Sequence, residues 1–184
     1  MRVGVLSDTH GGLKAWEDSL RVFDGVDLII HTGDILYHGP RNPFPDKHDP
    51  KGLAQAINSL SVPLLVARGN CDADVDQLAI DFPILSPYLI YDLNGIRLFA
   101  HHGHLFSEEE VLKFAKKLGV KLVLSGHTHL ATLERKEGIW FFNPGSPSLP
   151  KGKDGPTVGL IEGSILRLIS LSEGGVLKEV DLLG

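Results

Sequence analysis

The sequence predicts an α/β protein in which helices cover a sandwich of mixed β-sheets. In the first half of the 184 residues, short apolar runs alternate with segments of helical periodicity, which is typical of parallel β-α-β units. In the second half, apolar runs are joined in pairs by Asn-Gly or single-glycine turns, which indicates antiparallel hairpins. No linker or internal repeat divides the chain, so we expect a single domain over residues 1–184.

Three strands and two helices are predicted in the N-terminal half. The strands are residues 2–7, 27–32 and 62–67, which are apolar runs ended by turn residues. The helices are residues 13–23 and 51–60, where apolar residues recur at offsets of three and four. Residues 37–50 contain four prolines and show no periodicity, so they are predicted to form an irregular loop. A loop of this length inside a compact domain is usually functional.

Seven strands and one helix are predicted in the C-terminal half. The strands are residues 88–93, 96–101, 120–125, 131–137, 139–143, 157–162 and 164–171, and the helix is residues 108–118. Asn94-Gly95, between the first two strands, is the strongest short hairpin signal in the chain. Gly138 and Gly163 mark two further hairpins. We therefore expect this half to be antiparallel, which makes the whole a mixed α/β sandwich.

Composition excludes several classes of protein. The 18 basic and 23 acidic residues are spread along the chain, which argues against a dedicated nucleic-acid surface. The single cysteine, Cys71, excludes an internal disulfide and a four-cysteine zinc finger. No apolar run approaches the ~20 residues of a membrane span, and a predicted strand already occupies the N-terminus. We expect a cytoplasmic protein with no membrane or nucleic-acid partner.

Acidic, amide and imidazole side chains follow five of the predicted strands. They are Asp8, His10, Asp34, Asn70, His102, His127 and His129. Ligand sites in open α/β sheets lie outside the carboxyl ends of the strands, so we expect these side chains to meet at one edge. Each alone has a structural explanation as a turn or capping residue. Their joint occurrence at successive strand ends predicts a common site.

The residue types indicate a two-metal site. Carboxylate, imidazole and amide oxygen without thiolate suit Mn²⁺, Fe, Co²⁺ or Zn²⁺. Seven ligands are too many for one open catalytic ion, which keeps about three protein ligands. Two ions ~3.5–4 Å apart, bridged by a carboxylate and a water, would use them all. Asp34 is the natural bridge because it is the carboxylate from the middle of the set.

Five short motifs carry a family resemblance. They are SDTH (7–10), TGDI (32–35), RGNCD (68–72), HHGH (101–104) and GHTH (126–129). In this order they resemble the five blocks of the calcineurin-like metallophosphoesterases, and NPGSPSLPK (143–151) is similar to a later family segment. The small size, the GNCD form and the HGPRNPFP insertion resemble the YfcE-type bacterial phosphodiesterases within that superfamily.

The resemblance implies a fold, a ligand assignment and a reaction. The fold is a four-layer α/β/β/α sandwich of two mixed β-sheets. Asp8, His10 and His129 would hold one divalent ion. Asn70, His102 and His127 would hold the second, and Asp34 would bridge both. Mn²⁺ is the expected metal, with Zn²⁺, Fe, Ni²⁺ or Co²⁺ as alternatives, and the reaction is hydrolysis of a small phosphodiester by a metal-bridging hydroxide.

The chain departs from the family pattern at Cys71. Many relatives carry a histidine there, which is thought to protonate the leaving group, and a thiol of pKa near 8.5 is a poor match for that role. His38, in the loop after Asp34, is the substitute candidate, and Asp72 is expected to orient a ligand histidine. The predicted catalytic residues are His38, Asn70, Cys71 and Asp72. Arg41, in the same loop, is either a phosphate ligand or a surface charge.

Three alternatives stay open at this point. The same ligands would serve a phosphomonoesterase or a nuclease, although the even charge argues against a long nucleic acid. A non-catalytic scaffold of the same fold, like the retromer component that resembles this family, would lack several ligands, whereas all seven positions are filled here. The apolar C-terminal hairpins either bury a face of a homo-oligomer, a dimer or tetramer, or complete the second sheet. The sequence leaves the natural substrate undetermined.

Overall fold

The computed structural model describes residues 1–184, which form eleven β-strands and three α-helices. The strands are β1 (Arg2–Leu6), β2 (Leu28–His31), β3 (Leu64–Val66), β4 (Tyr88–Leu93), β5 (Ile96–His101), β6 (Leu122–Leu124), β7 (Ala131–Lys136), β8 (Ile139–Pro144), β9 (Thr157–Glu162), β10 (Ile165–Ser170) and β11 (Val176–Asp181). The helices are α1 (Leu13–Val22), α2 (Pro50–Asn58) and α3 (Glu108–Leu118), with a short 3₁₀ helix at Asp74–Leu78.

The strands form two mixed sheets. The first has the order β11-β10-β9-β1-β2-β3, and the second has the order β4-β5-β6-β8-β7. In the first sheet β1, β2 and β3 are parallel, as the N-terminal pattern predicts. The three predicted hairpins are present as β4–β5, β7–β8 and β9–β10. The C-terminal half is not wholly antiparallel, however, because α3 crosses over between β5 and β6, and β6 lies parallel to both β5 and β8.

Three apolar cores separate four layers. Helices α1 and α2 pack on the outer face of the first sheet through a core that includes Trp16 and Ile57. The inner faces of the two sheets meet in a second core that includes Val5 and Leu98. Helix α3 covers the outer face of the second sheet in a third core around Val111. This arrangement confirms the predicted α/β/β/α sandwich.

Local sequence signals set the ends of the helices. At the start of α3, the Ser107 hydroxyl accepts a hydrogen bond from the Glu110 amide, and the Glu110 carboxylate accepts one from the Ser107 amide. Gly119 ends the helix in a left-handed conformation that glycine adopts without a Cβ clash. At the start of α2, the Asp49 carboxylate caps the Gly52 amide, and Pro50 occupies the first helical position.

Hydrogen bonds bring the ends of β1, β2 and β6 to one edge of the sandwich. The Asp8 amide, after β1, donates to the Gly33 carbonyl after β2. The Thr32 hydroxyl, also after β2, donates across the sheets to the Ser125 carbonyl after β6. The two sheets therefore present their strand ends to the same space. None of the helices has the length and hydropathy that a membrane-crossing helix requires.

Candidate metal centre

The strand-end loops bring acidic and imidazole side chains together in the interior. Asp8, His10 and His129 form one group whose ligand atoms all lie within 4.8 Å of one another. Asp8, Asp34 and His102 form a second group by the same criterion. These five predicted ligands, which we call the inner ligands or the inner group, follow β1, β2, β5 and β6 and are all buried. The structure thus brings five of the seven predicted ligands together at the ends of these four strands.

The Asp34 carboxylate faces a histidine of each group. Its Oδ2 atom is 3.3 Å from Nε2 of His102 and 3.7 Å from Nε2 of His10. On the other side, Oδ1 of Asp8 is 3.4 Å from Nε2 of His129 and 3.6 Å from Nε2 of His10. Asp34 is therefore close to His10 and His102, and Asp8 is close to His10 and His129.

Asn70 and His127, which we call the outer ligands, lie at the solvent side of the inner group. Oδ1 of Asn70 is 3.1 Å from Nε2 of His102. The ring centroid of His127 is 5.1 Å from that of His102. Both outer side chains are exposed, in contrast to the five inner ligands.

Each buried ligand histidine is fixed by its other ring nitrogen. Nδ1 of His10 lies 2.7 Å from the Tyr37 carbonyl oxygen, and Nδ1 of His102 lies 2.7 Å from the Thr32 carbonyl oxygen. Nδ1 of His129 makes the same contact, also at 2.7 Å, with a carbonyl from the segment after β8. Because a carbonyl only accepts, each Nδ1 carries the proton, and in the neutral ring the Nε2 lone pair faces the site. Metal-ligating histidines are oriented in this way.

One unpartnered carboxylate oxygen and two imidazole nitrogens that face each other show that the site fits a divalent metal. Oδ2 of Asp8 accepts hydrogen bonds from the Ser7 hydroxyl at 2.6 Å and from the His127 amide at 2.9 Å. Oδ1 of Asp8 is buried and has no hydrogen-bond partner. Nε2 of His10 and Nε2 of His129 approach to 3.1 Å, although both are acceptors when neutral. A cation held among these atoms would satisfy all three, since buried polar atoms without a partner are costly.

The charges within the site favour anionic carboxylates. Burial raises the pKa of Asp34, but the positive charges of His102 and His10 and a hydrogen bond from the Cys71 amide outweigh it, so the pKa lies well below its ordinary value. Burial likewise opposes the charged form of His102, yet Asp34 and Asp8 raise its pKa to about 9. The carboxylates therefore create a strongly cation-attracting site.

The backbone at the site is strained. Five of the seven predicted ligands have positive φ angles although none is a glycine; they are Asp8 (56°), His10 (46°), Asp34 (60°), His127 (69°) and His129 (60°). The left-handed region costs a non-glycine residue about 1–2 kcal/mol, and such residues concentrate at functional sites. The surrounding fold holds these side chains in positions that relaxed turns would not give.

A cavity of about 440 Å³ opens over the site. Asp34, Asn70, Cys71, His127 and His129 contribute to its lining. Arg41 and Lys151 line it as well, and we call it the Arg41 cavity. Sequence reasoning considered Arg41 but missed Lys151, which is the last residue of the NPGSPSLPK segment. Two cations beside the candidate metal site make this cavity suited to an anionic group.

Comparison with known proteins identifies the family. The model of the calcineurin-like phosphoesterase superfamily domain matches residues 1–164. The chain belongs to this superfamily. It is 36% identical to phosphodiesterase YfcE of Escherichia coli K12 over 98% of this chain and 97% of that protein. A solved structure of the E. coli phosphoesterase YfcE superposes with a TM-score of 0.88 at 34% identity, covering 99% of this chain and 100% of that one. The chain is therefore a phosphoric ester hydrolase.

A more distant likeness concerns the fold alone. Vps29 of Entamoeba histolytica, solved in complex with Zn²⁺, superposes with a TM-score of 0.69 at 20% identity, covering 99% of each chain. The resemblance drawn from the five motifs is thus confirmed at the level of the calcineurin-like superfamily and its YfcE-like members.

Two members of the predicted catalytic set behave differently from the expectation. His38 does not line the Arg41 cavity. The 37–50 loop folds back on itself, so the His38 ring packs against Phe44 at 4.3 Å and His48 at 5.4 Å between centroids. Asp72 does not orient a ligand histidine either. Its carboxylate accepts hydrogen bonds from three backbone amides, those of Asp34, Ile35 and Gly69, and so joins the ends of β2 and β3.

Cys71 lies beside Asp34, but its thiol is a very weak acid. Its backbone amide donates to Oδ1 of Asp34 at 2.8 Å, and the residue lines the Arg41 cavity. Burial, together with the negative charges of Asp34 and Asp72, raises the pKa of the thiol to about 12. A thiol of this pKa is poorly matched to proton transfer near neutral pH.

Proposed function

We propose that the chain is a phosphodiesterase that hydrolyses small phosphodiesters with two divalent cations, with Mn²⁺ as the expected metal. Zn²⁺, Fe, Ni²⁺ and Co²⁺ are the alternatives. The observation that carries the proposal is the Asp34 carboxylate between two sets of ligand atoms, 3.3 Å from His102 and 3.7 Å from His10. The phosphodiesterase activity named for YfcE, a relative over nearly the whole chain, supports the choice of reaction.

The ligand assignment combines the first group in the structure with the ligand set that the superfamily resemblance implies. Asp8, His10 and His129 would hold one ion, and Asn70, His102 and His127 the other. Asp34 would contribute to both. When bound, two such cations neutralise charge on a phosphate group and acidify a water molecule, so that a nucleophile forms near neutral pH. No activated serine is required by this scheme.

The chain's own residues bind and orient the substrate. Arg41 and Lys151 line the cavity over the site, where they would bind the phosphate oxygens and offset their charge. The carbonyl contacts at Nδ1 keep the ligand rings from rotating. Asp72 fixes the backbone of Asp34 and therefore acts as a positioning residue. We assign no general acid, because neither His38 nor Cys71 is suited to that role.

An activity panel on metal-stripped protein tests the proposal. Bis(p-nitrophenyl) phosphate and p-nitrophenyl phosphate would be assayed with Mn²⁺, Zn²⁺, Ni²⁺ and Mg²⁺ added separately. The expected result is hydrolysis of the diester with Mn²⁺ and none without metal. Faster hydrolysis of the monoester would assign a phosphomonoesterase instead, and inactivity with every metal and ester would assign a scaffold.

A further inference from the structure

A second cavity of about 420 Å³ lies beside the first. Its lining includes Arg68, Asn70 and His104, together with an apolar wall of Leu85, Pro87 and Leu105. We call it the Arg68 cavity. Asn70 lines both cavities, so a substrate whose phosphorus lies near Asn70 can extend into either one.

The chemistry of the two cavities differs. The Arg41 cavity carries two cations, Arg41 and Lys151. In the Arg68 cavity the one guanidinium group is already engaged, because its Nη2 atom pairs with the Asp74 carboxylate at 3.1 Å and its Nε donates to the Asp72 carbonyl at 2.9 Å. Two contacts therefore hold the Arg68 side chain, and one of them is to a carboxylate.

Solvent-exposed apolar side chains complete the Arg68 cavity. Leu105 is 52% exposed and Leu85 is 36% exposed, so neither is a core residue. The wall is nevertheless held in place, since the Arg68 amide donates to the Ser86 carbonyl at 2.7 Å and ties the segment before β4 to the end of β3. Apolar side chains around a few fixed polar groups are the usual lining of a small-molecule site.

We propose that the Arg68 cavity is a binding subsite for one ester substituent of the substrate, and that this substituent is uncharged and largely apolar, such as an aryl ring. The inference rests on the proposed diesterase function. A phosphodiester carries two substituents, and cavities on both sides of Asn70 give each of them a place. Leu105 and Leu85 are then specificity-determining residues, and the Arg41 cavity takes the more polar or anionic side of the molecule.

Two non-hydrolysable inhibitors isolate the subsite. Methylphosphonate and phenylphosphonate carry similar charged groups and differ in one substituent, so the ratio of their inhibition constants measures how well the enzyme binds the phenyl ring. In the wild type, assayed with Mn²⁺ and bis(p-nitrophenyl) phosphate, phenylphosphonate should bind more tightly. One methylene in a hydrophobic pocket changes discrimination by ~10–200-fold, and this cavity is open, so we expect the ratio to fall about tenfold in Leu105→Ala.

Controls separate the subsite from other causes. Leu183→Ala removes a leucine that is 68% exposed and lines neither cavity, and its inhibition ratio should equal that of the wild type. Leu85→Ala should lower the ratio in the same direction as Leu105→Ala. An unchanged ratio in both Leu85→Ala and Leu105→Ala would overturn the subsite while leaving the diesterase intact. A wild type that hydrolyses no diester would overturn the proposed function itself.

Discussion

The inner and outer ligands differ in how the fold holds them. The inner ligands are buried, and a backbone carbonyl fixes Nδ1 of each histidine. The outer ligands, Asn70 and His127, are exposed. Asn70 makes its closest polar contact with the inner ligand His102. The ring of His127 packs edge-on against the His102 ring and makes no side-chain hydrogen bond with it. Folding therefore pre-organises one part of the site, and the other part is free to adjust when a metal binds.

The inner group also carries a cost in stability. It places two carboxylates in the interior and strains the backbone at four of its five positions. A cation that binds the folded chain would offset this cost, because a ligand of the native state stabilises it by mass action. Removing a member of the inner group should therefore affect both activity and the stabilisation by metal.

The largest effect is expected from Asp34→Asn. The amide keeps the shape of the side chain but removes the negative charge beside His10 and His102, which weakens metal binding. A metal ion supplies several kcal/mol of transition-state stabilisation. We expect diester hydrolysis to fall ~10³-fold or more, since each 1.36 kcal/mol corresponds to a factor of ten. The measurement is kcat/KM for bis(p-nitrophenyl) phosphate at saturating Mn²⁺.

A melting experiment gives a readout that does not depend on activity. At 100 times its Kd, Mn²⁺ should stabilise the wild type by about 2.7 kcal/mol, which raises Tm by roughly 5–10 °C for a chain of this size. In Asp34→Asn most of this shift should vanish. A variant with full activity and the full Mn²⁺ shift would contradict the assignment of Asp34 to the metal site.

Much of the inner group could be predicted from the sequence. Apolar runs ended by Asp or His place these residues at strand ends, and parallel strands bring those ends together. The role of Asp72 could not be predicted, because backbone amides after β2 are its partners and only the folded chain brings them near. The positive φ angles could not be predicted from the residue types, because Asp and His adopt such angles more often than most residues but far less often than glycine.

Other parts of the fold gave weak or misleading signals. Strand β11 was not predicted, because residues 176–181 are almost all exposed and pair only with β10, at the edge of the first sheet. His38 follows Asp34 closely in sequence, but the loop turns its ring toward Phe44. Proximity in sequence was therefore a poor guide within an irregular loop. The assignment of residues 1–184 to one domain stays a prediction.

A smaller effect is expected from His127→Ala, which alters an outer ligand. The inner group remains intact, so we expect kcat/KM to fall about 100-fold, and higher Mn²⁺ concentrations should restore part of the loss. The measurement is a Mn²⁺ titration of diester hydrolysis. If excess Mn²⁺ recovers Asp34→Asn as well as it recovers His127→Ala, the distinction between inner and outer ligands fails.

The left-handed backbone at His127 calls for a matched control. Alanine at φ 69° retains the strain, whereas glycine relaxes it. His127→Gly should therefore lose activity to the same degree as His127→Ala, because both lack the imidazole. A clear difference between the two would assign the effect to the backbone.

The buried His31 should make the free energy of unfolding depend on pH. His31 is fully buried, its Nδ1 accepts from the Gly33 amide at 3.0 Å, and burial lowers its pKa to about 3. The unfolded chain takes up this proton near pH 6.5, so the stabilisation is complete above that pH and is lost as pH falls toward 3. At pH 5 the loss is about 2 kcal/mol relative to pH 8.

The test compares the wild type with His31→Gln, because the pH dependence that His102 contributes to stability has the opposite sign and must be subtracted. Its pKa of about 9 means that its stabilisation is present below pH 6.5 and is lost as pH rises through 9. Urea unfolding of metal-free wild type and His31→Gln at pH 5 and pH 8 cancels this contribution. The wild type should lose about 2 kcal/mol more than His31→Gln between pH 8 and pH 5. Equal losses of stability in the two proteins would show that His31 has the same pKa in the folded and the unfolded state.

The smallest effect is expected from Lys151→Ala, which leaves every ligand in place. Lys151 is exposed and lines the Arg41 cavity, so it should attract the phosphate group before and during the reaction alike. Loss of such uniform binding raises KM without a comparable change in kcat, and we expect a rise of about tenfold at low salt. The rise in KM should shrink at high salt because exposed charges are screened.

Lys153→Ala, which removes a nearby exposed lysine outside the cavity lining, is the matched control. A fall in kcat with unchanged KM would instead place Lys151 among the groups that act on the transition state, and so extend the pre-organised part of the site to the cavity wall.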